Sequence, residues 1–367
     1  MPTSVAEPRE VSVVIVNFDG KRTVLDSIRS LRALDGVRVR VIVVDDGSRD
    51  GSPEAIAAEF PDVELHREPR NTRAVNRLRN AGLARARTDR VFVMDNDVAL
   101  HRDCLAEMLR VMDADERVAV CIPRLMHWRD PSSIYMAGGL IHYVGATIAP
   151  NRDRPYDGRT KPVTAIGGGI GLFDRRKLEL VGGFDEGYAL AWGDDAELHQ
   201  RLLLAGYRTV YVPTAVCFHE HKPFGKERHY RARGQVANRW RFILSHYSVR
   251  TLVLVAPALA LYELLQAGFL LAKGMPHLYL LGTLDALRKL PDTLARRRFV
   301  QPLRRVPDRE LLFADELYVR PEHGAGSALG RLALGAASRA FALYWRLVRP
   351  LLSRGPRSAA AGRLATP

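Results

Sequence analysis

The feature that most constrains this chain is an alternation of short β-branched runs, ending in Asn or Asp, with stretches of helical periodicity. Val11–Val16 is bounded by Asn17-Phe-Asp-Gly20 and predicts a buried strand. Arg22–Leu34 then sets Val24, Leu25, Ile28, Leu31 and Leu34 at helical spacing, which predicts an amphipathic helix. Val39–Val44 predicts a second strand, ending in Asp45-Asp46-Gly47-Ser48. Ser52-Pro53 predicts a helix start with a capping hydroxyl and a proline in the first turn. Val63–His66 and Arg90–Met94 predict further strands with a helical stretch between them. Strands separated by helices imply right-handed crossovers and a mostly parallel sheet, whose ligands gather at the carboxyl ends of the strands. Here those ends carry Asn17, Asp45 and Asp95-Asn96-Asp97.

The middle, residues 122–163, is less regular. Ala165–Phe173 is a small-residue run that predicts a strand approached closely by other groups. Asp194–Gly206 predicts a helix closed by its glycine, and Thr209–Val212 a strand leading to Cys217-Phe-His-Glu-His221. Beyond Tyr230 the texture changes. Thr251–Ala272 is strongly apolar, interrupted by Pro257, Glu263 and Gln266, and approaches the roughly 20 residues of a membrane span. Glu263 and Pro257 suit a re-entrant or surface-lying segment equally. In Ala328–Arg349, Arg331, Arg339, Arg346 and Arg349 share one sector of a helix, with Leu332, Leu343, Trp345 and Leu347 in its apolar part. Such a helix suits an anionic bilayer, although packing on a catalytic domain accounts for either segment taken alone.

Charge sharpens the division. Residues 1–220 hold 30 Lys+Arg and 32 Asp+Glu, a net of −2, whereas residues 221–367 hold 25 and 9, a net of +16. That asymmetry points to nucleic acid or to an anionic membrane surface. The basic positions are interleaved with aliphatic runs rather than stacking aromatics, which favours the membrane and excludes nucleic acid. Hydrophobic content of 47% with 26% charged residues excludes wholesale disorder. Cys104, Cys121 and Cys217 have no C-x-x-C spacing, so a disulfide framework is not expected and a reducing cytoplasm fits. Met1–Glu10 is polar without an apolar core, so no signal peptide is expected. The expected location is the cytoplasmic face of a membrane.

Four constellations can carry chemistry. Asp95 and Asp97, two apart in a turn after a strand, can supply oxygens to a hard cation such as Mg²⁺ or Mn²⁺, while an Asx-rich turn has the same sequence. A buried Asp45 can accept the imide N–H of uracil or thymine, a donor cytosine lacks, and Asp46–Ser52 reads as turn formers. Asp194-Asp195 opens a helix, where acids complement the dipole, and Asp195 can act as a general base. Glu197 and Arg201, four apart, are expected to pair. His219 can be a third cation ligand, a core histidine, or part of a zinc site with Cys217 and His221, the last lacking a partner cluster at suitable spacing.

Taken in order, Val13–Phe18, Val43–Ser52, Met94–Asp97, Gly182–Glu186, Trp192–Leu198 and Tyr211-Val-Pro with His219 resemble an inverting family-2 glycosyltransferase of GT-A fold over residues 10–245. The tail is similar to that of bacterial rhamnosyltransferase-like members. The resemblance implies an α/β, Rossmann-like GT-A fold, with a mostly parallel sheet, flanking helices and C-terminal membrane-associating helices. The corresponding division is a flexible N-terminus (1–10), a catalytic domain (11–245), a basic helical region (246–353) and a disordered tail (354–367). It implies a UDP- or dTDP-linked sugar donor and an acceptor hydroxyl on a lipid-linked or cell-surface glycan. Asp45 and the backbone near Asn17 would bind the base, and Asp95 and Asn96 would lie by the ribose and diphosphate. Asp97 and His219, with Asp95, would hold Mn²⁺ or Mg²⁺. Asp195 would be the catalytic base, beside Asp194, where Glu is more usual, and Trp192 would line the sugar or acceptor pocket. One departure stands out: Asn71-Thr-Arg-Ala-Val75 lacks the glycine of the family's Asn-x-Gly-x-Ala, so Arg73 or Arg77 is expected to approach the diphosphate. Two alternatives fit less well. A sugar-nucleotide nucleotidyltransferase needs a longer Gly-rich basic loop than Asn17–Gly20. A non-catalytic, membrane-associated carbohydrate-binding protein would not need the acidic set intact.

Overall fold

The structure, a computed structural model, describes residues 9–149, 152–158, 163–164, 166–188, 192–220, 227–317 and 328–352. The expected disordered tail, most of the expected flexible N-terminus, Ala165 and His221 lie outside the described residues. In chain order the first elements are β1 (Arg9–Asn17), α1 (Lys21–Arg32), β2 (Val37–Asp45), α2 (Ser52–Glu59), β3 (Glu64–Arg67), α3 (Val75–Leu83), β4 (Arg90–Asp95) and β5 (Val98–Leu100). They continue as α4 (Cys104–Ala114), β6 (Val118–His127), β7 (Ile134–Met136), β8 (Leu140–His142), β9 (Ala146–Ile148), β10 (Val163–Thr164), β11 (Gly171–Asp174) and α5 (Arg175–Leu180). After α6 (Ala196–Leu204) and β12 (Arg208–His219) the chain is helical: α7 (Glu227–His246), α8 (Val249–Ala272), α9 (Pro276–Arg288), α10 (Leu290–Val300), α11 (Asp308–Leu311) and α12 (Ala328–Val348). Two compact units result, and both are discontinuous in sequence.

The first unit comprises residues 1–138, 151–186 and 208–223. Its sheet runs β10-β12-β6-β11-β4-β1-β2-β3, with β5 on β12 and β7 on β6. The β1–β2, β1–β4, β2–β3 and β6–β12 pairs are parallel, as the alternation predicts. β11 runs antiparallel between β4 and β6. Val13, Ile15, Val41, Val43, Phe92 and Met94 form the core with Val24, Ile28 and Leu31 of α1 and Leu105 and Met108 of α4. Register then does the functional work: Asn17 pairs with Asp45 and Val16 with Asp95, so three strand ends meet at one edge.

Two expectations are corrected here. Of the described residues 166–173, the strand β11 begins only at Gly171. The glycines before it are instead places of close approach: a Cβ on Gly167 would lie 2.9 Å from the Ile122 side chain, and one on Gly169 would lie 2.1 Å from the Arg79 guanidinium. The cap of α2 is Gly51, at φ 78°, rather than the Ser52 hydroxyl. Ser52 Oγ is turned to Asp50 and also accepts from Asn17 Nδ2 at 3.1 Å.

The second unit comprises residues 139–150, 187–207 and 224–367. Within it, α6 starts on Asp195 as N-cap and ends in a Schellman arrangement. Gly206 has φ 89°, its N–H donates to Leu203 and that of Tyr207 to Leu202. The expected Glu197–Arg201 pair is present, bidentate at 2.9 and 2.7 Å, and both side chains are fully buried. His246 Nε2 lies 3.2 Å and Arg296 Nη2 3.7 Å from the same Glu197 oxygen. Burial alone would raise this carboxyl, but Arg201, His246 and Arg296 outweigh it and hold it well below the usual glutamate range. Glu197→Gln leaves Arg201 buried without its counter-ion and costs about 3–5 kcal/mol in urea unfolding. Because the folded value is depressed, the contribution is complete above the unfolded glutamate range and shrinks as pH falls below it. The gap between wild type and variant therefore narrows from neutral pH toward pH ~3, and a constant gap refutes this account.

Candidate functional site

At the carboxyl edge of the parallel strands, Asn17 is the hub. Its Nδ2 donates to Asp45 Oδ1 at 2.7 Å and Ser48 Oγ at 3.3 Å, and its Oδ1 accepts from Asn96 Nδ2 at 2.7 Å. Gly20 is required for this, because a Cβ there would lie 2.0 Å from Asn96 Nδ2. Asp45 is fully buried and also accepts from Ser48 N at 2.9 Å and Ser48 Oγ at 2.6 Å. Three of its four lone-pair sites are thereby used within the protein. In this conformation Asp45 organises the strand ends and presents no surface to a base. Asp46, read from sequence as a turn former, receives Thr72 N and Oγ1 at 2.8 and 2.7 Å and Arg73 N at 3.2 Å. It anchors the loop that departs from the family pattern.

Arg77 pairs with Glu68 at 3.1 Å. Arg73 keeps an exposed side chain and a left-handed backbone, φ 54°. The position where a glycine was missing retains the conformation glycine favours. Arg73→Gly should therefore raise stability by about 1 kcal/mol, read as a shift in the urea midpoint; a loss of stability refutes the backbone argument.

The basic residue that reaches the site is Arg79, which the sequence reading missed. It is buried, and its Nη2 lies 3.2 Å from Asp95 Oδ1 and its Nη1 3.1 Å from Asn76 Oδ1. Its guanidinium stands over Phe184 at 5.4 Å, in the space Gly169 leaves. The Gly167–Gly169 run was the available signal. Arg79 fixes the Asp95 carboxylate. Arg79→Lys, which cannot keep the planar fork, should weaken Mn²⁺ binding about 10–100-fold, as loss of an outer-shell partner does, measured by electron paramagnetic resonance titration; unchanged Mn²⁺ affinity counts against this role.

Asp95, Asp97 and His219 bring one donor atom each within 4.8 Å of one another. Asp97 Oδ1 and His219 Nε2 are 3.5 Å apart. Asp95 ends β4, Asp97 sits in the turn that follows, and His219, the last residue of β12, is held beside them by pairing with Val98 of β5. Tyr135 stacks on the His219 ring, 4.3 Å between centroids and 19° between planes, which fixes its orientation. Side-chain exposures of 36% for Asp95, 19% for Asp97 and 12% for His219 leave the cluster open on one side. Two carboxylates and an imidazole with room for further ligands fit a divalent cation completed by water or phosphate oxygens. Beside it, buried Glu220 pairs with Arg22 and, at 3.4 Å, with Arg129.

The remaining predicted residues lie in the second unit. Asp195 is half-buried and its Oδ1 accepts from Ala196 N at 2.6 Å, while Asp194 is buried. Trp192 donates through Nε1 to Thr147 Oγ1, meets Phe242 edge-on at 5.6 Å, and its carbonyl accepts from Asn238 at 3.0 Å.

Known proteins resemble this chain in sequence and fold. Residues 12–179 match Glycosyl transferase family 2, and residues 154–223 match the N-terminal domain of galactosyltransferase. Over 232 residues the chain is 33% identical to a pre-mycofactocin glycosyltransferase of Mycobacterium tuberculosis, covering 60% of this chain and 45% of that protein. It is 25% identical over 227 residues to a poly-beta-1,6-N-acetyl-D-glucosamine synthase of Staphylococcus aureus, covering 59% of this chain and 51% of that one. The chain thus spans about half the length of these relatives. A mannosyltransferase from Pyrobaculum calidifontis, in complex with GDP-Man and Mn²⁺, superposes with a TM-score of 0.51 at 18% identity, covering 93% of this chain and 86% of that one. GalNAc-T7 with UDP, GalNAc and Mn²⁺ gives 0.53 at 16% identity, covering 64% of this chain and 48% of that one. At such identities the likeness speaks for the fold, which is α/β and GT-A-like. Residues 12–179 thus match the glycosyl transferase family 2 model, and the fold that carries them is GT-A-like.

Proposed function

We propose that the chain is a metal-dependent, inverting glycosyltransferase, of hexosyl or rhamnosyl type, that moves a sugar from a UDP- or dTDP-linked donor to an acceptor hydroxyl. The observation that carries the proposal is the Asp95–Asp97–His219 cluster beside the Asn17–Asp45–Asn96 network at one sheet edge. Asp97, His219 and Asp95 would hold the cation, and one imidazole among oxygen ligands favours Mn²⁺ over Mg²⁺. When bound, the ion supplies positive charge that neutralises the departing nucleoside diphosphate. Asn96 and Asp95 stand on the ribose and diphosphate side, with the exposed Arg73 side chain available to the phosphates. Asp45 has one lone-pair site left for a uracil or thymine imide, and using it requires the Asp46–Gly51 loop to open.

Asp195 removes the proton from the acceptor hydroxyl as its oxygen bonds to the anomeric carbon. The bond from that carbon to the phosphate oxygen breaks, with inversion. Asp194 supports the acidic pair, and Trp192 lines the sugar or acceptor pocket. The acceptor in this reading is a lipid-linked or cell-surface glycan, and the place of action is the cytoplasmic face of a membrane. Screening nucleotide-sugars with Mn²⁺ and glycan acceptors should give nucleoside diphosphate release and an inverted glycosidic product. Release by GDP-sugars alone would overturn the base assignment, and a retained anomer would overturn inversion.

A further inference from the structure

Helix α8 has 24 residues, about 36 Å at the α-helical rise, and is the one described helix long and apolar enough to cross a bilayer. Only 17% of its most apolar window is buried. Apart from Arg250 in its first turn, its exposed positions, among them Val253, Leu261, Leu264, Leu265, Phe269 and Leu271, are apolar, so the side turned from the protein carries no polar stripe. Such a surface needs a partner.

The other side argues against crossing. Glu263, in the middle of α8, pairs with buried Arg239 of α7 and accepts from the Tyr279 hydroxyl of α9 at 2.5 Å. Tyr344 of α12 donates to the Leu254 carbonyl at 2.8 Å. Arg239 also donates to the Val144 carbonyl. Threading α8 through a bilayer would carry this ion pair and its neighbours to the hydrocarbon centre or tear them apart, at a cost of at least ~2.5 kcal/mol per charge. Lying in the interface costs neither.

Charge selects the occupant. Residues 221–367 carry 25 Lys+Arg against 9 Asp+Glu, and exposed Arg331, Arg339 and Arg346 alternate with exposed Leu332, Leu343 and Leu347 on α12. A second copy would oppose a net +16 with another +16, whereas anionic headgroups complement it at about 1 kcal/mol per basic residue near the surface. We propose that the second unit docks monotopically on an anionic lipid surface, with α8 lying in the interface through its exposed apolar side and the α12 arginines on the headgroups.

This inference rests on the second unit alone, and its test needs no sugar donor. The full chain should float with phosphatidylglycerol/phosphatidylethanolamine vesicles, at least tenfold more than with phosphatidylcholine, and be released by alkaline carbonate. Leu264→Asp/Leu271→Asp and, separately, Arg339→Glu/Arg346→Glu should each reduce flotation about tenfold, with unchanged circular dichroism and melting, since all four side chains are exposed. Resistance to carbonate would mean a spanning helix and overturn the proposal. Failure to float, with a concentration-dependent dimer in light scattering, would assign the face to a second copy and also overturn it. Flotation of both variants at the wild-type level overturns it as well.

Discussion

Asp97→Ala abolishes the response of nucleoside diphosphate affinity to Mn²⁺: by titration calorimetry the variant binds UDP equally with and without the metal. The expectation follows from geometry. Asp97 lies 3.5 Å from His219 and is less exposed than Asp95, so its loss takes away the carboxylate most enclosed by the cluster. Asp95 is further committed to Arg79 at 3.2 Å and cannot swing to replace it without breaking that contact. Turnover should fall by roughly 10²–10³, about 3–4 kcal/mol of transition-state charge stabilisation. An Asp97→Ala protein whose UDP affinity still rises with Mn²⁺ would exclude Asp97 as a ligand.

Asp195→Asn lowers kcat about 10²–10⁴-fold through loss of the general base while UDP affinity stays close to wild type. Asparagine is the informative replacement because Asp195 also caps α6, accepting from Ala196 N at 2.6 Å. An amide oxygen can keep that bond and asparagine ranks with aspartate as an N-cap, so melting should hardly change, whereas alanine would add about 1 kcal/mol of helix destabilisation. Loss of UDP binding in the asparagine variant, or wild-type kcat, removes Asp195 from the chemistry.

Much of the first unit is legible because its signals are local. β-Branched runs fix β1, β2 and β4, and parallel register then delivers Asn17, Asp45 and Asp95 to one edge. The Glu197–Arg201 pair and the glycine closing α6 are likewise consequences of helical spacing. What escapes is set by docking over distance. Arg79 meets Asp95 only because α3 packs where Gly169 has no side chain, and nothing near Arg79 in sequence announces that. The antiparallel entry of β11 is hidden in a glycine-rich run, in which β11 begins only at Gly171. Asp45 carries the right chemistry for a base, yet the occupation of its oxygens by Asn17 and Ser48 is a tertiary outcome that residue type does not foretell.

The loop at Arg73 offers something to protein engineering. Its backbone is fastened through N–H groups to Asp46, at Thr72 and Arg73, so its path is set largely without reference to the side chain that points outward. A left-handed residue on a fixed path is a socket: glycine, asparagine and aspartate enter it at little steric expense, and bulkier residues at a modest one. Residue 73 can thus be exchanged with the sheet edge beneath it left intact.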